Sequence, residues 1–199
     1  MVGQVNGRAW QCVLVDLNTQ RDFLEPTAVC RVRNGEQLLS TVRRVVAWAK
    51  WNHVPVISAV DAHRHAESTH DGFPLHCIDG TRGQGKIPWT LFGSRVRVEA
   101  DNTLSLSLDL FESHQQVIFR KRTHDLFSNP KADRFLTQLR AEEFILGSKL
   151  PQFSPVFNIG CWCYSISSIE LWSEEFYFFT LFSSNGFSQF LMKIGILHI

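Results

Sequence analysis

Three short apolar runs in this chain each lead to a charged residue. Val13 to Val15 stop at Asp16, Val54 to Val60 stop at Asp61, and Val117 to Phe119 lead to Lys121. Short runs rich in valine and isoleucine read as buried strands. Between the first two, Leu38, Leu39, Val42, Val45, Val46 and Ala49 recur at three- and four-residue steps, which makes one apolar face of a helix. Asn34 and Gln37 ahead of it have the spacing of a cap. Pro130 to Leu139 reads as a further helix and Glu143 to Leu146 as a fourth strand. Strands alternating with helices predict an α/β fold: a parallel sheet covered on both faces, three layers in the order α/β/α, Rossmann-like in plan. In such sheets chemistry collects beyond the carboxyl ends of the strands. Asp16, Asp61 and Lys121 are all expected there.

The bulk properties narrow the partners. At 199 residues and 44% hydrophobic, the chain has enough apolar content for one cored domain. A net charge of +1 gives no strong field for nucleic acid or an anionic membrane, so neither partner is expected. No stretch reaches the roughly 18 apolar residues that a membrane-spanning helix needs. The first residues lack the apolar core of a signal peptide. Five cysteines, Cys12, Cys30, Cys77, Cys161 and Cys163, are odd in number and irregular in spacing, which argues against a disulfide framework. A reducing cytoplasm is the expected location.

Composition changes abruptly near Gly147. All 14 arginines, 9 aspartates and 10 alanines lie in residues 1–147, whereas residues 148–199 hold 8 of the 16 phenylalanines and nine serines. The expected division is therefore one α/β domain over 1–147 and an atypical Phe/Ser-rich tail over 148–199. Low-complexity bias is one origin for such a tail. A shifted reading frame or retained intron is the other, and the abruptness of the change favours it.

Three segments carry a family resemblance. Val13-Leu-Val-Asp16, followed by Asp22-Phe23, resembles the opening motif of the isochorismatase-like cysteine hydrolases, in which an apolar strand ends in the catalytic aspartate and Asp-Phe follows shortly. This chain has two extra residues between its aspartates. Lys121-Arg-Thr-His-Asp-Leu-Phe127 resembles the family's Lys-x-x-x-Ser-x-Phe, with Asp125 where serine is usual. The most specific block is Asp61-Ala-His63 with Phe73-Pro-Leu-His76-Cys77-Ile-Asp-Gly80-Thr81-Arg-Gly83, which is similar to the nicotinamidases' Asp-Trp-His and Trp-Pro-x-His-Cys-x-x-Gly-Thr-x-Gly. Ala62 replaces the tryptophan. The resemblance covers about residues 10–147.

What the resemblance implies is an amidohydrolase acting on a small amide such as nicotinamide. Asp16 would be the general base, Lys121 the cation beside a cysteine thiolate, and Phe23 a substrate contact. Asp61, His63 and His76 would hold a divalent metal: zinc, iron or manganese. A free thiol has a pKa of about 8.5 and needs such a base and cation to act as nucleophile. Apart from the resemblance the same residues have plainer readings. Asp16 would be a turn or cap residue, Lys121 a solvated charge in the run Arg120–Arg122, and the histidines a polar loop in which His65 and His70 compete for the third ligand position.

The nucleophile itself is not recognisable. In the family it follows the fourth strand in a stretch like Gly-Val-x-Thr-x-x-Cys-Val. Here Gly147 is followed by Ser148-Lys-Leu-Pro-Gln-Phe-Ser-Pro155. There is no cysteine in that window, and Pro151 and Pro155 oppose the expected helix. Cys161 and Cys163 come too late. The sheet is therefore expected to be incomplete at its carboxyl-terminal side and the chain impaired in turnover. A non-catalytic ligand-binding member of the same fold, and a hydrolase of another small substrate, stand as alternatives. A homo-oligomer is left open.

Overall fold

A computed structural model describes residues 10–32, 35–65, 74–101, 103, 105–107, 109–123, 125–139, 141–149, 176–183 and 190–193. The side chains of the last two segments, and of a few other residues, lie outside that description. So do Asn34, the Gln37 side chain, His70, Phe73, His124, Cys161 and Cys163.

Seven strands form one sheet: β1 (Trp10–Leu17), β2 (Val56–Asp61), β3 (Arg95–Val98), β4 (Gln116–Lys121), β5 (Ala141–Lys149), β6 (Phe176–Ser183) and β7 (Phe190–Lys193), in the spatial order β3-β4-β2-β1-β5-β6-β7. The first five are mutually parallel. β2 is buried along its whole length, as expected for a central strand covered on both faces. The helices are α1 (Arg21–Leu24), α2 (Gly35–Trp51), α3 (Leu110–Ser113) and α4 (Pro130–Gln138). In α4, Asn129 caps the first turn by accepting from the Lys131 N–H at 3.1 Å, with Pro130 at the first helical position.

Strand alternation sorts the core into two layers. Leu14, Val56 and Ile145 pack against Leu38, Val42, Val45, Val46 and Ala49 of α2. Val13, Val15, Leu17, Ile57, Ala59, Val117, Phe119 and Phe144 pack with Phe111 of α3 and Ala132 and Phe135 of α4. This is the α/β/α sandwich expected from the sequence. Each fully buried aliphatic side chain contributes about 1.5–3 kcal/mol, so the central strands anchor the fold.

The edge beyond β5 differs from expectation. β5 runs through the compositional boundary to Lys149, and β6 pairs with it antiparallel from Glu143↔Phe182 to Lys149↔Phe176. β7 pairs antiparallel with β6. The tail therefore supplies two strands where the sequence led us to expect none. Its aromatic run Phe176-Tyr-Phe-Phe-Thr-Leu-Phe has strong strand-forming character despite lacking clean alternation.

Candidate metal centre and its surroundings

The ends of β2 and β4 lie side by side, with Asp61 opposite Lys121 in the parallel register. The chain leaves β2 through Ala62, whose N–H bonds the Lys121 carbonyl at 2.8 Å, and reaches His63. The segment after His76 returns alongside: His63 N–H donates to the Cys77 carbonyl at 3.1 Å and Asp79 N–H to the His63 carbonyl at 2.9 Å. The result is that ligand atoms of Asp61, His63 and His76 lie within 4.8 Å of one another. The rings of His63 and His76 meet edge to face, with centroids 5.0 Å apart.

Both imidazoles are oriented by backbone carbonyls. His63 Nδ1 lies 3.1 Å from the Arg122 carbonyl, and His76 Nδ1 lies 2.8 Å from the Pro74 carbonyl. A carbonyl only accepts, so each Nδ1 carries a proton, and the neutral ring keeps its lone pair on Nε2. That second-sphere arrangement orients metal-bound histidines. With the Asp61 carboxylate, the donor set is two nitrogens and one oxygen, which fits zinc, iron or manganese alike.

Asp61 is fully buried and held on every side. Lys121 Nζ bonds its Oδ1, and Asn18 Nδ2 donates to its Oδ2 at 3.0 Å. Gln20 bridges its backbone, accepting from the Asp61 N–H at 2.8 Å and donating to the Asp61 carbonyl at 2.9 Å. The same Gln20 Nε2 donates to the Gln84 carbonyl at 2.8 Å. Phe23 is buried, and its ring packs against that of His76 with centroids 5.3 Å apart. His65 is exposed and is not one of the three grouped ligands.

Asp16 does not join this group. The cation on Asp16 is Lys86 rather than Lys121: its Nζ is 2.6 Å from Asp16 Oδ2, with both side chains almost fully buried. Ser58 and Thr19 hydroxyls donate to the same oxygen at 3.1 and 3.2 Å. The reason is the pleat. Asp16 shares the face of Leu14 and is in register with Ser58, whereas Lys121 shares the face of Val117 and Phe119. The residue from the end of β1 that reaches Asp61 is Asn18, two positions on, with φ at +59°.

Asn18 and Gln20, which hold Asp61, and Lys86, which holds Asp16, were not singled out from the sequence. A signal was present for Asn18: the two surplus residues between Asp16 and Asp22. Counting back from Asp22-Phe23 at the family's shorter spacing lands on Asn18 rather than Asp16.

Cys77, next to His76, is the thiol embedded in the centre. It is fully buried with φ at +47°. Desolvation, then the carboxylates of Asp61 and Asp22, push its pKa up strongly, and Lys121 offsets only part of this. It is a neutral thiol, the opposite of an activated nucleophile. Its N–H donates to Asp22 Oδ2 at 2.6 Å. Asp22 in turn fills the space over Gly83, where an added Cβ would lie 2.0 Å from Asp22 Oδ1.

No protein-family model and no curated protein sequence matches the chain. Solved structures do. An isochorismatase-like hydrolase from Alkaliphilus metalliredigens matches with a TM-score of 0.51 at 19% identity, over 68% of this chain and 65% of that one. An N-carbamoylsarcosine amidase from Thermoplasma acidophilum gives 0.51 at 13% identity, over 68% and 66%. A pyrazinamidase/nicotinamidase from Streptococcus mutans gives 0.50 at 18% identity, over 68% and 70%. The chain thus has the isochorismatase-like α/β fold, and it spans a little under two thirds of the length of the Alkaliphilus protein. Among the described residues, no helix is long and apolar enough to cross a membrane.

Proposed function

We propose that this chain is a metal-dependent binder of a small amide, built on the nicotinamidase plan, in which thioester hydrolysis is lost or severely impaired. The observation that carries the reading is the Asp61–His63–His76 group, with both histidines fixed through Nδ1 on backbone carbonyls. A divalent cation held there would supply a Lewis-acid point for a ligand nitrogen or oxygen. Lys121 balances the Asp61 carboxylate at the floor of the site. Phe23 holds the His76 ring in place.

The case against turnover is chemical. Covalent amide hydrolysis needs a thiol that can ionise and a base within hydrogen-bond reach of it. Cys77 is held neutral by burial and two carboxylates. Asp16 is engaged by Lys86 on the other face of the sheet. Asn18, which takes the place beside Asp61, is a carboxamide and accepts no proton at neutral pH.

Calorimetric titration with nicotinamide, beside an ammonia-release assay, tests this. Metal-dependent heat of binding without steady ammonia is expected. Absence of binding with and without metal contradicts the amide reading. Turnover abolished by Cys161→Ala or Cys163→Ala contradicts the loss of hydrolysis.

A further inference from the structure

Asn18 Oδ1 is buried and, among the described residues, has no hydrogen-bond partner. Buried polar atoms of this kind are rare, and each calls for an explanation such as a bound ion. The orientation of the amide is settled by its neighbour. A carboxylate only accepts, so Nδ2 must face Asp61 Oδ2, leaving Oδ1 as the acceptor turned elsewhere. The two amide heteroatoms are about 2.3 Å apart. Oδ1 therefore lies within about 5.3 Å of a carboxylate that itself belongs to the ligand group, given the 3.0 Å hydrogen bond.

The backbone commits Asn18 to this place. Its N–H donates to the Ala59 carbonyl at 3.0 Å, tying the end of β1 to β2. Its φ of +59° is the left-handed conformation that asparagine adopts more readily than most residues. Gln20, two residues on, clamps the Asp61 peptide from the same turn. Asn18 and Gln20 thus tie one turn to Asp61.

We infer that Asn18 Oδ1 is a fourth protein donor of the metal centre, completing a set of two imidazole nitrogens and two oxygens. This rests on the metal reading above and goes beyond it. A neutral carbonyl adds a ligand without adding charge, which suits a site already holding one carboxylate and one ammonium. It also gives the buried oxygen a partner.

Cobalt(II) titration of the full chain, read by visible absorption, tests the assignment. Asn18→Gly keeps the left-handed backbone and removes the carbonyl. Asn18→Asp keeps an oxygen in its place. The expected result is that Asn18→Gly weakens cobalt binding about tenfold and shifts the d–d bands, whereas Asn18→Asp binds at least as tightly as the parent. Identical affinity and identical spectra for the parent and Asn18→Gly overturn the inference while leaving the three-residue metal site standing. Weakened binding with an unchanged spectrum also overturns it, because Asn18 would then act only by positioning Asp61. If Asn18→Gly fails to fold, unchanged bands and weaker binding in Asn18→Asp decide against it. A parent chain that takes up no cobalt removes the metal reading itself.

Discussion

Lys86 Nζ lies 2.6 Å from Asp16 Oδ2, and the side chains are only 3% and 6% exposed. This ion pair joins the 84–92 segment to the centre of the sheet. Lys86 also donates to Thr19, the Thr19 carbonyl accepts from Ile87 N–H, and Gln116 links Ser58 to the Thr90 carbonyl.

Removing one partner strands the other. Lys86→Met leaves a buried carboxylate with only two hydroxyl donors, and about 3–5 kcal/mol of folding stability should be lost. Asp16→Leu combined with Lys86→Met should recover most of it, since apolar pairs often replace buried ion pairs at little cost. Urea denaturation measures both. A loss under about 1 kcal/mol in the single variant, the size typical of an exposed pair, would contradict the buried pairing.

Gly83 and Asp22 are predicted to be coupled. Gly83→Ala drives a methyl into the Asp22 carboxylate and displaces the acceptor of the Cys77 N–H. It should cost about 1–3 kcal/mol, as for overpacking of a close contact. In an Asp22→Ala background the space is open and the added cost should shrink toward zero. A double-mutant cycle reads the coupling, and additive costs would rule it out.

Cys77 gives a pH signature. Its thiol pKa is raised in the folded state, so the folded chain holds that proton where the unfolded chain has released it. The contribution to stability is full below the unfolded value of about 8.5. It is lost as pH rises above that, by up to about 1.4 kcal/mol per pH unit. The stability difference between the parent and Cys77→Ala should therefore shrink as pH goes from 8 to 10. A difference independent of pH over that range would show that Cys77 ionises as readily folded as unfolded.

Much of the fold was legible because the central strands are apolar runs rich in valine and isoleucine and α2 has a regular apolar face. β3 was not, because Arg95-Val-Arg-Val is short and half charged, and only its pairing with β4 makes it a strand. The grouping of Asp61, His63 and His76 was expected from the resemblance of two separate blocks, while spacing alone left His65 and His70 competing for the third place. Lys86 was not: a lysine among Gly, Gln and Pro reads as solvated, and only tertiary packing buries it against Asp16. Asp16 was misplaced for a related reason. An apolar run ending in an acid shows where a strand ends, while the side of the sheet that the acid faces depends on register with β2 and β4.

Elemental analysis reports directly on whether Asp61, His63 and His76 hold a metal. The purified chain would be exchanged in turn against zinc, iron(II) and manganese, beside His63→Ala and His76→Ala. Near-stoichiometric retention of at least one of these metals by the parent, and loss of most of it in each variant, is expected. Equal metal content in all three proteins, or none in the parent, would contradict it.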